Sequence, residues 1–165
     1  MKGDKEEVAK RREQARKEIG VYREQVAARY RLAVRTEEPF RERLVHFWTN
    51  HFAVSADKAQ VVGLAATLEY EAIRPHIAGH FVDLLQAVES HPAMILYLDN
   101  QGSIGPNSTL ARRAEGRLER KLDINENLAR ELMELFLLGE GHYTEADIKE
   151  GARALTGYRF NEQHF

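Results

Sequence analysis

The chain has 165 residues, a formal net charge of -2 and no cysteine. This length suits one domain with a hydrophobic core, and the charge gives no general attraction to nucleic acid or an anionic membrane. The lack of cysteine excludes disulfides, thiolate metal sites and cysteine nucleophiles. No apolar run approaches the roughly 20 residues of a membrane span, and the N-terminus has no signal-peptide core, so neither a membrane span nor an export signal is predicted for this chain.

The first predicted element is a charged N-terminal helix over residues 1–35. Its first half is almost entirely polar, and its second half carries apolar side chains at steps of three and four, from Ile19 to Ala33. This pattern favours a long helix with one thin apolar seam and a solvated remainder. A coiled-coil partner along the seam is the alternative.

A second helix is predicted to begin at Thr36-Glu37-Glu38-Pro39, which combines a capping residue, first-turn acids and an N-terminal proline. Its aromatic face is predicted to form the centre of the core, with His51 on that face and His46 and Asn50 on its polar flank. The face consists of Phe40, Leu44, Phe47, Trp48 and Phe52.

The remaining pattern predicts further helices and one long polar loop. A third helix begins at Ser55 or Asp57 and meets Pro75, a fourth ends before Pro92, and a short one covers residues 93–98. Residues 99–108 are rich in turn formers, residues 110–122 form a basic surface helix or mobile segment, and a capping box opens a last helix at residue 144. No stretch alternates with period two. The fold class is therefore all-α, an irregular bundle of about six or seven helices, with residues 36–165 as its core.

The most informative element is the predicted helix from Asn125 to Gly139. One side is apolar, but Leu137 and Leu138 fall on the polar side, so this polar side is predicted to be covered as well. Charged groups in a covered position need partners. The candidate polar site comprises Asn50, His51, Asp99, Asn100, Asn107, Asn127, Arg130, Glu131 and Glu134.

Two interpretations of this candidate site remain open. It is either a structural network that holds the polar loop onto the bundle, or a site for a hard cation or a sugar-like ligand. Arg130 is four residues from both Glu126 and Glu134, so pairing within the helix is possible. His76 and His80 have a spacing that can bind a metal, but no supporting acid follows. No metal site is therefore predicted, and no cofactor is identified.

Several segments in order resemble the bacterial family known as domain of unknown function 1800, over roughly residues 38–158. These segments are Phe47-Trp48-Thr49-Asn50-His51-Phe52, His91-Pro92-Ala93-Met94, Tyr97-Leu98-Asp99-Asn100 with Ser103 and Gly105-Pro106-Asn107-Ser108, Glu126-Asn127-Leu128-Ala129-Arg130-Glu131 with Glu134-Leu135, and Tyr143-Thr144 through Ala154-Leu155-Thr156-Gly157.

The resemblance implies that this chain matches the central portion of longer proteins. Many members carry an export signal, so a periplasmic or cell-envelope location is implied for the full-length protein, together with a co-exported partner. Many members have a histidine where this chain has Phe136, which weakens a metal centre on that helix. The segment Ala111 to Asp123 also lacks the short glycine-rich stretch that precedes the Glu126-Asn127 motif in many members. The resemblance assigns no catalytic residues.

Three functional hypotheses follow. The first is a non-catalytic binding or assembly module, acting by self-association or with a co-exported protein. The second is a metal-assisted hydrolase or polysaccharide-acting enzyme that uses Glu131 and Glu134 beside His51 and Asp99. The third is a helical adaptor that pairs through the N-terminal helix.

Overall fold

A computed structural model describes residues 2–114 and 123–158. All regular elements in these residues are helical, with no strand, which confirms the predicted all-α fold and the irregular bundle. The chain forms two compact units, unit 1 with residues 1–88 and unit 2 with residues 89–165. Among the described residues, none of the helices combines the length and apolar character needed to cross a membrane.

Unit 1 begins with the long helix α1, Lys2–Arg35. Near its start, ion pairs four residues apart join Glu6 to Lys10 at 3.2 Å and Glu13 to Lys17 at 2.9 Å. Such exposed pairs each contribute little stability. From Tyr22 onwards several side chains are half-buried, so the second half of α1 packs on the unit. Two residues of the predicted seam do not take part, since Ile19 is 42% exposed and Tyr30 is 61% exposed.

Helix α2, Pro39–His51, carries the aromatic cluster, and its buried face differs from the predicted one. Val45 and Phe52 are completely buried, but Phe40 is 74% exposed and Phe47 is 58% exposed. At 100° per residue, these two phenylalanines lie on the side of the helix opposite Val45. The prediction that Phe40 and Phe47 belong to the core centre is therefore wrong. The buried face instead includes Glu42, which is held by an ion pair.

The predicted third helix begins much later than expected. Residues 56–66 form successive turns, with bonds such as Val61 N–H to the Lys58 carbonyl, and the regular structure starts with a π-helical segment, π1, Leu68–Ile73. The short helix α3, Arg74–His76, follows directly and contains Pro75 in its first turn. Helix α4 is Phe81–Glu89.

Unit 2 contains α5 (Pro92–Tyr97), a 3-10 turn (Asn100–Gly102), α6 (Thr109–Ala114), α7 (Asn127–Glu131), a second π-helical segment, π2 (Leu132–Leu137), and α8 (Glu145–Leu155). The capping box that opens α8 is present as predicted. Part of the predicted basic segment, residues 115–122, lies outside the described residues. The fully or almost fully buried apolar side chains of this unit are Ala93, Met94, Ile95, Leu128, Ala129, Ile148 and Ala152.

The predicted single helix from Asn125 to Gly139 is shorter than expected and changes type at Leu132. In π2 the Leu138 N–H donates to the Met133 carbonyl, five residues back. Such a wide turn changes the angle between successive side chains. A helical wheel drawn at 100° per residue therefore does not predict which side chains are buried after Leu132. Leu135, which the wheel puts on the buried side, is 59% exposed, whereas Phe136 is buried. Leu137 and Leu138 are also exposed. The prediction that other parts of the chain bury this side of the helix is therefore wrong for the described residues.

Candidate functional site

Seven of the nine predicted site residues belong to unit 2, and Arg130 is the centre of their charge pairs. Its guanidinium donates two hydrogen bonds to Glu145, both 2.9 Å long, and one of 3.3 Å to Glu126. These bonds with Arg130 lower the pKa of the Glu145 carboxyl. The pair with Glu126 agrees with the predicted spacing, whereas Glu145 comes from α8 and was not foreseen. Arg130 therefore links α7 to the start of α8 at the surface.

Glu131 and Glu134 form a second feature of this surface. Burial and the charge of Glu134 raise the pKa of the half-buried Glu131. Burial and a hydrogen bond with Glu134 raise the pKa of Tyr143. Two carboxyls alone do not make a metal site. Within residues 2–114 and 123–158, no group of three or more potential ligand side chains is arranged to hold a metal ion.

The predicted loop residues have structural contacts. Asn100 is 1% exposed, and its Nδ2 donates to the carbonyls of Leu155 and Tyr158 at 3.1 and 3.4 Å. Asp99 has a positive φ of 58° and its carbonyl accepts a hydrogen bond from Asn125. These contacts fix the polar loop to the end of α8 and to the segment before α7.

The other predicted polar residues are more exposed. Asn107 and Asn127 are exposed, and the Asn127 N–H donates to Asn125 Oδ1. Asn50 and His51 belong to unit 1. The His51 ring lies half-buried against Trp48 and Phe52, with ring centroids 5.5 and 4.7 Å away. Asn50 lines a cavity of the same unit.

A buried ion network in unit 1 forms another cluster of charges among the described residues. The Arg74 guanidinium donates two hydrogen bonds to the Glu42 carboxylate, at 2.9 and 2.5 Å. It donates two more to the Glu69 carboxylate, at 2.9 and 2.6 Å. Arg29 Nε lies 2.7 Å from the other oxygen of Glu69. Hydrogen bonds from Arg74 lower the pKa of Glu42, and bonds to Glu42 raise the pKa of Arg74. Two cations and two anions thus compensate each other in the interior.

The π-helical turn π1 explains how Glu69 and Arg74 meet. Side chains five residues apart in an α-helix point about 140° away from each other. A turn closed by a hydrogen bond between residues five apart brings those residues to the same side of the helix. The Arg74 N–H donates to the Glu69 carbonyl, and the Arg74 guanidinium therefore reaches the carboxylate of the same residue.

Next to this network lies a cavity of about 180 Å³. Its polar wall includes Gln25, Arg29, Asn50 and Glu69, and its apolar wall includes Phe52. Buried Gln25 Oε1 accepts no hydrogen bond from the described residues. Arg29 Nε is close to Glu69 but is not aligned for a hydrogen bond with it. The cavity therefore combines charge-compensated groups with hydrogen-bonding capacity that the protein does not fully use.

Of the residues around this cavity and network, the predicted candidate polar site included only Asn50. One signal could have indicated one of the others: Glu69 lies four residues before Ile73, an apolar position of the predicted third helix, so the acid shares a helical side with that position. No comparable signal points to Gln25 or Arg29 in the highly charged α1.

Comparison with known proteins gives the family but no assigned activity. No curated protein and no solved structure matches the chain. The family model described as "Protein of unknown function (DUF1800)" matches residues 2–165. The match extends beyond residues 38–158, where the resemblance was drawn, and it includes α1. Since the model covers essentially the whole sequence, the chain belongs to the DUF1800 family.

Proposed function

We propose that this chain is an assembly module that associates with further copies of itself through two patches of opposite charge. The aromatic patch consists of Phe40, Arg43 and Phe47, all exposed on one side of α2 in unit 1. Positions 40, 43 and 47 follow the helical repeat, so the two rings are about 10 Å apart along the helix with the arginine between them. An exposed aromatic stripe of this kind is typical of an interaction surface.

The leucine patch in unit 2 supplies a complementary surface. Leu135, Leu137 and Leu138 are all exposed, with Glu134 beside them on π2 and the exposed Glu140 just after it. The aromatic patch therefore carries the cation of Arg43 between its rings, and the leucine patch carries the anions of Glu134 and Glu140. Opposite charges around apolar surfaces favour docking of the one on the other and disfavour pairing of like patches. Contact between different patches of two copies is a heterologous association.

The exposure of Phe40 and Phe47 is the observation that carries this proposal. Replacing both residues by serine is expected to weaken self-association at least tenfold, because two aromatic side chains at a small interface dominate its binding energy. Sedimentation equilibrium over a concentration series measures the effect, and circular dichroism checks that the helices remain. The matched control replaces the exposed α1 residues Val8 and Tyr30 by serine, which leaves the association constant unchanged.

Charge reversal identifies the second patch. Arg43→Glu and Glu140→Lys each weaken association, since each places like charges opposite one another, and the double variant restores it. Added salt reduces the attraction in the unmodified chain. A chain that stays monomeric at all concentrations would contradict the proposal, and so would association that neither the serine pair nor the charge reversals alter.

The family resemblance supports an extension of this proposal to the full-length protein, which would assemble in the cell envelope or periplasm. Fractionation of cells that make the full-length protein tests the location. Recovery in the cytoplasm alone contradicts the location but leaves the self-association result standing.

A further inference from the structure

Gln25 and Arg29 bring hydrogen-bonding groups to the wall of the unit 1 cavity, which also includes Thr49, Asn50 and Glu69. Gln25 lines the cavity, and its Oε1 accepts no hydrogen bond from the described residues. This oxygen is buried from solvent. Because the terminal torsion of a glutamine side chain is broad, a rotation of the amide group at little conformational cost presents the oxygen to a molecule in the cavity that donates a hydrogen bond. Buried polar atoms in folded proteins nearly always have a partner in the protein, in water or in a ligand.

Arg29 supplies the donors one helical turn further along α1. Its side chain is a quarter exposed, and it meets Glu69 through Nε. A guanidinium carries five N–H donors, so the contact of Nε with Glu69 leaves the N–H groups of the two terminal nitrogens as further donors. Gln25 and Arg29 lie on the same side of α1 because they are four residues apart.

We propose that this cavity is a binding site for a small neutral molecule with a hydroxyl or primary amide group. Either group donates a hydrogen bond to Gln25 Oε1 and accepts one from the Arg29 guanidinium. The apolar body of the molecule packs against Phe52, Leu68 and Val26, which also line the cavity. This site is independent of the two surface patches and of the assembly that they support.

The charge balance of the ion network favours a neutral ligand. Arg29 and Arg74 balance Glu42 and Glu69. A charged ligand would add an uncompensated charge to a partly buried site, which is unfavourable. The volume of about 180 Å³ sets the size. A dry cavity of about 150 Å³ admits benzene in another protein, so this one holds a ring with one short substituent.

A matched set of single-ring probes tests the proposal on the full chain. Benzyl alcohol and benzamide carry the required group, toluene lacks it, and benzoate is charged. Titration followed by amide-resolved NMR gives affinities, and it shows whether the shifted signals belong to residues around the cavity. The expected result is that the alcohol and the amide bind at least tenfold more tightly than toluene and benzoate, as the loss of one hydrogen bond predicts.

Two variants separate recognition from folding. Gln25→Leu removes the acceptor, so binding of benzyl alcohol falls about tenfold while binding of toluene stays the same. Ala65→Leu fills the cavity and abolishes binding of all four probes. The control variants Gln60→Leu and Ala59→Leu make the same changes at exposed positions and leave every affinity unaltered. If Ala65→Leu does not fold, the selectivity change in Gln25→Leu remains a sufficient test.

Three results would overturn the proposal. The first is that none of the probes shifts the signals of cavity residues, which leaves water as the occupant. The second is equal binding of toluene and benzyl alcohol. The third is unchanged selectivity in Gln25→Leu. None of these results depends on the oligomeric state, so they are distinguishable from failure of the assembly proposal.

Discussion

Replacing Arg74 by leucine is expected to lower the free energy of unfolding by about 3–5 kcal/mol, because it leaves buried carboxylates without their main partner. Glu42 loses both of its bonds to the guanidinium, and Glu69 keeps the ion pair with Arg29 and a hydrogen bond of 3.4 Å from the Thr49 hydroxyl. Urea unfolding at pH 7 measures the change. The matched control is Arg153→Leu, which breaks an exposed pair with Glu150 and is expected to cost under about 1 kcal/mol.

The same substitution is expected to change the response of stability to acid. In the unmodified chain the pKa of Glu42 is lowered on folding. Its contribution is therefore present above the unfolded pKa and is lost as the pH falls through the folded pKa. In Arg74→Leu the buried carboxylates favour protonation instead, so mild acid brings the two proteins closer in stability. An equal loss of stability at pH 5 and pH 8 would contradict this account of the network.

Glu89→Gln is expected to stabilise the protein, with an effect that grows with pH. Glu89 is 7% exposed, and neither of its oxygens has a hydrogen-bond partner among the described residues. Burial raises its pKa to about 8 from the ordinary value of 4.5. Folding therefore favours the neutral acid, and the unmodified chain loses stability as the pH rises between these two values. At pH 7 the neutral amide avoids a penalty of about 3 kcal/mol.

Thermal and urea unfolding between pH 5 and pH 8 test this prediction. The difference between Glu89→Gln and the unmodified chain should be small at pH 5 and largest at pH 8. Glu24→Gln, on the exposed side of α1, is the control, and it should change stability by less than about 0.5 kcal/mol at every pH. A benefit that is independent of pH would show that Glu89 is charged or paired in the folded chain.

The helical class could be predicted because it depends on local patterns. The capping box at Thr144 and Asp147 forms as the sequence indicates, and the proline at the start of α2 occupies the expected position. The buried face of α2 could not be predicted in the same way. The aromatic side chains suggested that one side of α2 is buried. The structure instead buries the side that carries Glu42, whose ion-pair partner Arg74 lies 32 residues away in the sequence.

The candidate site was predictable only where partners are close in sequence. Arg130 and Glu126 are four residues apart and do pair. The contact of Arg130 with Glu145 and that of Asn100 with Leu155 join residues from different elements, and no helical periodicity indicates them. The cavity beside Arg29 and Glu69 depends on the packing of three segments of unit 1, so its residues have no shared pattern in the sequence.

The wide turn of π1 has a consequence for how this region can change in length. Its five-residue ring closure holds one more residue than the corresponding turn of an α-helix. Deletion of Glu71 would therefore remove the extra residue and let a regular α-helical turn form, with the Glu69 and Arg74 positions four residues apart and still on one side of the helix. An inserted residue would place them six residues apart, which neither kind of turn closes. This pair of charges is thus expected to tolerate the loss of one intervening residue far better than the gain of one.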